Sequence, residues 1–241
     1  MNLENLASSR VLAIEDDPVL GAYVHDQLGR YGYQVTWCRN GQEGLALARS
    51  EGYDVVLMDI LMPGMNGLDV LQRLRESTAV PVILMSALGA ENDRISGFRR
   101  GADDYLPKPF SMDELQVRVE AILRRVVLER QRRESGPVAV AVDALRFDET
   151  FSDVWHNGLQ AGLTPSEYRL LETLHRQHEE VSSKAFLYQH VLQRGYFRHD
   201  RSLDMHVSQI RRKLKAVGYA ERQLRTVWGK GYVLSSRELE S

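Results

Sequence analysis

The chain has 241 residues, with 31 Lys plus Arg against 33 Asp plus Glu, 43% hydrophobic residues and one cysteine. That length predicts two domains, and the apolar share is too high and the net charge too small for a disordered chain. No apolar run reaches the roughly 18 residues that cross a bilayer, Met1 to Arg10 lacks the apolar stretch of a signal peptide, and Cys38 alone makes no internal disulfide. A soluble protein of the reducing cytoplasm, with no membrane partner, is expected.

Along the first half, short β-rich runs alternate with helix-period segments. Val11 to Ile14, Gln34 to Cys38, Val55 to Met58, Val82 to Met85 and Tyr105–Leu106 read as strands. Val19 to Tyr31, Gly41 to Ser50, Leu68 to Glu76, Asn92 to Arg99 and Met112 to Arg125 read as helices. This rhythm predicts an α/β doubly wound domain with a parallel sheet, whose ligands gather just past the carboxyl ends of the strands. Glu15, Asp16, Asp17, Asp59, Ser86 and Lys108 occupy those positions.

From Val126 to Gly136 the charged run VVLERQRRESG reads as a helix tail passing into a linker, which sets the expected organisation: a first domain over 1–126, a linker over 127–137 and a second domain over 138–241. The second domain shows short strands at Val138 to Val142, Leu145 to Phe147 and Val154–Trp155. Helices then begin at Thr164, Ser183 and Ser202, and a hairpin closes around Trp228 to Gly231.

Charge divides unequally between the halves. Cut at Arg125, the first part holds 13 basic and 18 acidic residues and the second 18 and 15, so a charge of −5 precedes one of +3. Between Arg194 and Lys230 ten basic residues face Asp200, Asp204 and Glu221, the footprint expected for a phosphate backbone. On the helix from Ser202, residues Leu203, Val207, Ile210, Leu214 and Val217 form a core stripe. Arg201, Met205, Ser208, Gln209 and Arg212 fall opposite, as on a helix laid in a DNA major groove.

At the acidic strand ends, Glu15, Asp16 and Asp59 repel one another unless a hard cation neutralises them, and Mg²⁺ suits such an oxygen-rich set. A carboxylate beside that cation can attack phosphorus, while an ammonium and a hydroxyl stabilise the transferring oxygens, parts that Lys108 and Ser86 supply.

The segments IEDDP, VVLMDILMPGMNGLDVL, PVILMSA and GADDYLPKPF resemble the four signatures of a two-component response-regulator receiver domain, of flavodoxin/CheY-like fold. The resemblance implies Glu15 and Asp16 as the acidic Mg²⁺ pair, Asp59 as phosphoacceptor and third metal carboxylate, and Leu61 as a backbone-carbonyl ligand. It also implies Ser86 and Tyr105 as the switch pair and Lys108 as the phosphate-contacting lysine. Asp17 reads instead as the start of a helix before Pro18. LTPSEYRLLETL, DRSLDMHVSQIRRKLK and LRTVWGKGYVL resemble the hallmark segments of the OmpR/PhoB-type winged helix-turn-helix domain, nearest the CpxR-like branch.

From this family the expectations follow. A cognate sensor histidine kinase phosphorylates Asp59, and the protein forms a homodimer through a face carrying Asp103, Asp104, Glu114, Arg118 and Arg125, with Asp104–Arg118 and Asp103–Arg125 pairs across a two-fold axis. Ser96 stands where the family often places the basic partner of Glu114. Double-stranded DNA is bound as a direct repeat, Met205, Ser208, Gln209 and Arg212 facing bases while Arg201, Arg211 and Lys230 hold phosphates, with RNA polymerase as a further partner. The side chains two residues beyond Asp59 and Ser86 are Leu61 and Leu88, neither able to orient a hydrolytic water, so a persistent phosphate is expected. The reading is a transcription regulator and not an enzyme; a phosphorylation-independent DNA- or protein-binding regulator is the alternative, and an aspartyl-phosphate phosphatase lacks a second general-acid carboxylate close behind Asp59.

Overall fold

Strands β1 (Arg10–Ile14), β2 (Gln34–Cys38), β3 (Val55–Asp59), β4 (Val82–Ala87) and β5 (Asp104–Lys108) form one parallel sheet in the order β2-β1-β3-β4-β5. The computed structural model describes residues 8–50, 52–87, 91–134, 141–142, 145–149, 151–196 and 200–236. Val11 to Ile14 and Val55 to Met58 are fully buried, as central parallel strands must be when helices cover both faces.

Helices α1 (Pro18–Arg30), α2 (Gly41–Ser50), α3 (Gly67–Leu74) and α4 (Glu91–Arg99) connect these strands, and α5 (Met112–Glu134) follows β5. Asp17 caps α1, its side chain accepting from the N–H groups of Val19 and Leu20, with Pro18 in the first turn, as the sequence predicts. Leu115, Val119 and Ile122 of α5 pack with Val11, Ala13, Val24 and Leu28 in one core. Burial at the end of β2 pushes the Cys38 thiol up to about 12.

The chain divides into two compact units at Leu128/Glu129. Helix α5 runs on to Glu134, through most of the stretch expected to be a linker, because VVLERQRRE contains no glycine or proline to stop it.

In the second unit β6 (Ala141–Val142), β7 (Leu145–Asp148), β8 (Asp153–His156) and β9 (Leu159–Gln160) make an antiparallel sheet. Helices α6 (Pro165–Arg176), α7 (Lys184–His190) and α8 (Ser202–Ala216) follow, with β10 (Ser182–Ser183), β11 (Arg222–Val227) and β12 (Gly231–Ser236) in a second sheet. Val138, taken as a strand start, lies outside the described residues; the two-residue strands β9 and β10 are too short to leave a periodic signal.

Thr164 and Glu167 form a reciprocal capping box with Pro165 at the first helical position, which fixes where α6 begins. Leu170, Leu171 and Leu174 of α6 join Leu203, Val207, Ile210 and Leu214 of α8 in the core. Gly231 lies flush on β10: a Cβ there would sit 2.0 Å from the Ser182 carbonyl oxygen. Among the described residues no helix is long and apolar enough to cross a membrane.

Candidate functional site

Parallel register brings the predicted pocket residues to one edge of the five-stranded sheet. Ile14 pairs with Met58, Asp59 with Met85 and Lys108 with Ala87, so Glu15, Asp59, Ser86 and Lys108 end adjacent strands. The strand order reverses between β1 and β3, the position where doubly wound sheets open a crevice.

Carboxylate oxygens of Glu15, Asp16 and Asp59 lie within 4.8 Å of one another. Lys108 Nζ donates to Glu15 Oε2 and to Asp59 Oδ2, each at 2.8 Å, and the Leu61 N–H donates to Asp59 Oδ1 at 3.2 Å. Leu61 therefore meets the pocket through its backbone while its side chain is exposed. Gly67, the first residue of α3, makes this packing possible: a Cβ would stand 2.1 Å from the Asp59 carbonyl oxygen. Sequence reasoning did not single it out, although the MNGLD run contained the signal, a glycine directly after the Asn66 cap.

Burial holds the Glu15 carboxyl well above the ordinary carboxylate range, against the pull of Lys108 and with the charge of Asp59 adding to the rise. Burial draws the Lys108 ammonium down, but hydrogen bonds to Asp59 and Glu15 more than reverse this and hold it above its usual value. Glu15 Oε1 and Ser86 Oγ are buried and find no hydrogen-bond partner among the described residues. An acceptor and a hydroxyl left so are costly. A hard divalent cation at the carboxylates and an oxyanion beside Ser86 would satisfy both, so the residues present fit Mg²⁺ and a phosphoryl group. Tyr105, beside this edge on β5, is buried.

The face expected to pair across a dimer axis is already paired within the chain. Arg118 Nη1 donates to Asp104 Oδ1 and Oδ2 at 3.0 and 2.9 Å, and its Nη2 to Glu114 Oε1 at 2.8 Å. Asp103 and Arg125 require a correction: both are buried and bond each other at 3.4 Å within one chain. Arg75 donates to Asp103 Oδ2 at 3.0 Å, and the Val82 N–H donates to the same oxygen at 3.1 Å. Asp103 is thus an internal junction tying the end of α3 to β4 and α5. Ser96 is half-buried on α4.

In the second unit, α8 buries Leu203, Val207, Ile210, Leu214 and Val217, the predicted core stripe. Arg201, Ser208, Arg211 and Arg212 are exposed and Met205 half-buried. Gln209 is corrected: placed on the outward face by its periodicity, it is 3% exposed, and its Oε1 accepts from Arg212 Nε at 3.1 Å. Arg211 spends Nε on the Leu224 carbonyl at 2.7 Å and Nη2 on Thr226 Oγ1 at 2.8 Å, joining α8 to β11. Lys230 is exposed at the hairpin tip.

Not every charge of the basic run faces solvent. Arg194 is buried against Asp200, which also accepts from the Tyr188 hydroxyl at 3.1 Å and the Ser202 N–H at 2.9 Å. Lys213 bonds Glu167 Oε2 at 2.6 Å, and Lys184 bonds Asp204 Oδ1 at 2.6 Å.

Comparison with known proteins matches residues 11–120 to the response regulator receiver domain and residues 158–234 to the C-terminal domain of transcriptional regulatory proteins. The chain is 51% identical over 238 residues to the transcriptional activator protein PfeR of Pseudomonas aeruginosa, covering 97% of this chain and 75% of that protein. It is 36% identical to the transcriptional regulatory protein CpxR of Klebsiella pneumoniae, over 95% of this chain and 99% of that one. A solved structure of a RitR mutant superposes with a TM-score of 0.77 at 24% identity, covering 95% of this chain and 100% of the other, a likeness of fold.

Proposed function

The chain belongs to the OmpR/PhoB-type response regulators, and from that premise we propose that it is switched by phosphorylation of Asp59 and then, as a dimer, binds specific DNA to control transcription. The observation that carries this reading is the pocket: Lys108 shared at 2.8 Å between Glu15 and Asp59, with Ser86 Oγ buried beside them and unbonded.

In the proposed step an Asp59 carboxylate oxygen attacks phosphorus of a phosphohistidine on a partner kinase. The new O–P bond forms as the N–P bond breaks, and the electron pair and a proton go to the imidazole. Glu15, Asp16, Asp59 and the Leu61 carbonyl would hold Mg²⁺, which supplies charge neutralisation for the transferring oxygens. Lys108 keeps its ammonium on Asp59 and carries it to the phosphoryl oxygens, while the Ser86 hydroxyl donates to one of them and the Tyr105 ring follows the space it leaves. The dimer face retains Asp104, Glu114 and Arg118. On DNA, Met205, Ser208 and Arg212 face bases, and Arg201 and Lys230 hold phosphates; RNA polymerase is the partner through which the bound dimer acts. The domains would follow the limits 1–126 and 138–241, in the cytoplasm.

The full chain with MgCl₂ and acetyl phosphate is the test. The expected outcome is one acyl phosphate per chain, a shift from monomer to dimer in sedimentation, and tighter binding to duplexes selected from a randomised pool; phosphate incorporation with neither change would overturn the switch. A second measurement concerns lifetime. Leu61 presents a hydrocarbon where an in-line water needs a polar partner, so the phosphate should persist, and Leu61→Asn should shorten its half-life several-fold; unchanged decay would remove this account. Leu88, expected to act similarly, lies outside the described residues.

A further inference from the structure

Trp37 is the penultimate residue of β2 and is half-buried, and its indole Nε1–H donates to the Glu15 carbonyl oxygen at 2.9 Å. That oxygen belongs to the peptide joining Glu15 to Asp16, which carry two of the three clustered carboxylates. A peptide unit is planar, so fixing its oxygen fixes ψ of Glu15 and φ of Asp16, and with them the directions in which both side chains leave the chain. The ring is itself held in place. It is pressed on α1 at Gly21, where a Cβ would stand 2.3 to 2.4 Å from three indole atoms, Nε1 among them.

The residues beside Trp37 grip the same segment. The Glu15 N–H donates to the Cys38 carbonyl at 3.1 Å, and Arg39 Nη2 donates to the Asp16 carbonyl at 3.2 Å. The Cys38 bond prolongs the strand ladder and needs no particular side chain, and the Arg39 bond comes from an exposed residue at long range. The indole bond is different in kind, because it is short, partly sheltered from water, and made by a rigid ring with one donor and no acceptor.

We propose that Trp37 is a positioning residue of the cation site, its indole N–H holding the Glu15–Asp16 peptide so that both carboxylates face Asp59 before Mg²⁺ arrives. The inference rests on the Mg²⁺ reading above and deepens it. Carboxylate oxygens within 4.8 Å repel one another, and a free peptide plane would turn to part them, leaving the cation to gather its own ligands. Holding the plane moves that ordering cost from binding into folding. A tryptophan that merely fills the core would leave Mg²⁺ affinity untouched, and this is the difference to measure.

The experiment uses the full chain without a phosphoryl donor and reads the rise in melting temperature of the first unit with MgCl₂ by scanning calorimetry, which needs no tryptophan. Trp37→Phe keeps an aromatic ring against Gly21 and removes the donor. It should melt within a few degrees of wild type in EDTA, yet need roughly tenfold more MgCl₂ for the same rise. Gly21→Ala keeps the indole but drives a Cβ into it, and should raise the requirement in the same direction. Since both act through one hydrogen bond, the double variant should need no more than the worse single variant. Trp155 and Trp228 lie in the second unit, so the first contributes one indole ¹H–¹⁵N signal, which should resist exchange with solvent and shift on adding MgCl₂.

Wild-type Mg²⁺ affinity in Trp37→Phe would overturn this inference and leave the Mg²⁺ reading intact. Losses that multiply in the double variant would also overturn it, because two independent effects do not run through one bond. An indole signal of the first unit that neither resists exchange nor shifts, in a wild-type chain that MgCl₂ does stabilise, would overturn it whatever the variants do. A wild-type chain whose melting ignores MgCl₂ would overturn both readings.

Discussion

Asp59→Asn is expected to take up no acyl phosphate from acetyl phosphate or from a kinase, and to remain monomeric under conditions that dimerise the parent. The substitution keeps the side-chain shape and leaves an oxygen able to accept from Lys108 or the Leu61 N–H, but its amide is not a nucleophile toward phosphorus. Glu15 cannot substitute: its carboxyl is held above the ordinary range by burial and lies one residue past β1, at the other side of Lys108. Asp16 is half-buried and has no resolved bond to Lys108. The fold should survive, because removing one of three crowded carboxylates relieves repulsion. Intact-mass measurement at acid pH, where acyl phosphates endure, decides the matter: a phosphate retained by Asp59→Asn means that the nucleophile is elsewhere.

Asp200→Ala should cost the second unit on the order of 3 to 5 kcal/mol, enough to unfold a large fraction of it while the first unit still accepts phosphate. Arg194 and Asp200 are buried together, and the carboxylate also receives Tyr188 OH and the Ser202 N–H at the start of α8. Removing it strands a guanidinium in the interior and loosens the first turn of the helix that meets DNA. The same pair sets a pH dependence. Despite burial, which raises it, the Arg194 charge and the Ser202 bonds hold the Asp200 carboxyl at about 2. Its folded value lies below the unfolded value of about 3.8, so its stabilisation is complete above about pH 4 and is lost as pH falls toward 2. Thermal melts of wild type and variant from pH 7 to pH 2 should therefore converge at the acid end; parallel curves would show that the pair does not govern this unit.

The receiver pocket was legible because strand ends are dictated by backbone periodicity. Once the runs at Val11, Val55 and Val82 are placed side by side, Glu15, Asp59 and Ser86 must emerge at one edge, and the register confirms it. The capping box at Thr164 and the stripe on α8 were equally local signals. What failed was everything set by a neighbour distant in sequence. Periodicity gives the direction of a buried stripe but not its width, and on α8 the buried arc extends along one flank through Ser202, His206 and Gln209. Asp103 likewise carries no local mark of its two arginines, 28 residues before it and 22 after it. The continuation of α5 to Glu134 has another cause: a charged run is no mark of a linker when its residues are Glu, Arg and Gln, which are good helix formers.

Asp103 also constrains descent. Replacing Asp103 alone leaves the Arg75 and Arg125 guanidinium groups facing the place of the carboxylate they shared, whereas replacing either arginine leaves a balanced Arg–Asp pair. The costly intermediate is the one with both arginines and no carboxylate, so lineages should lose an arginine before they lose the aspartate. Aligned relatives should therefore seldom carry both arginines without Asp103.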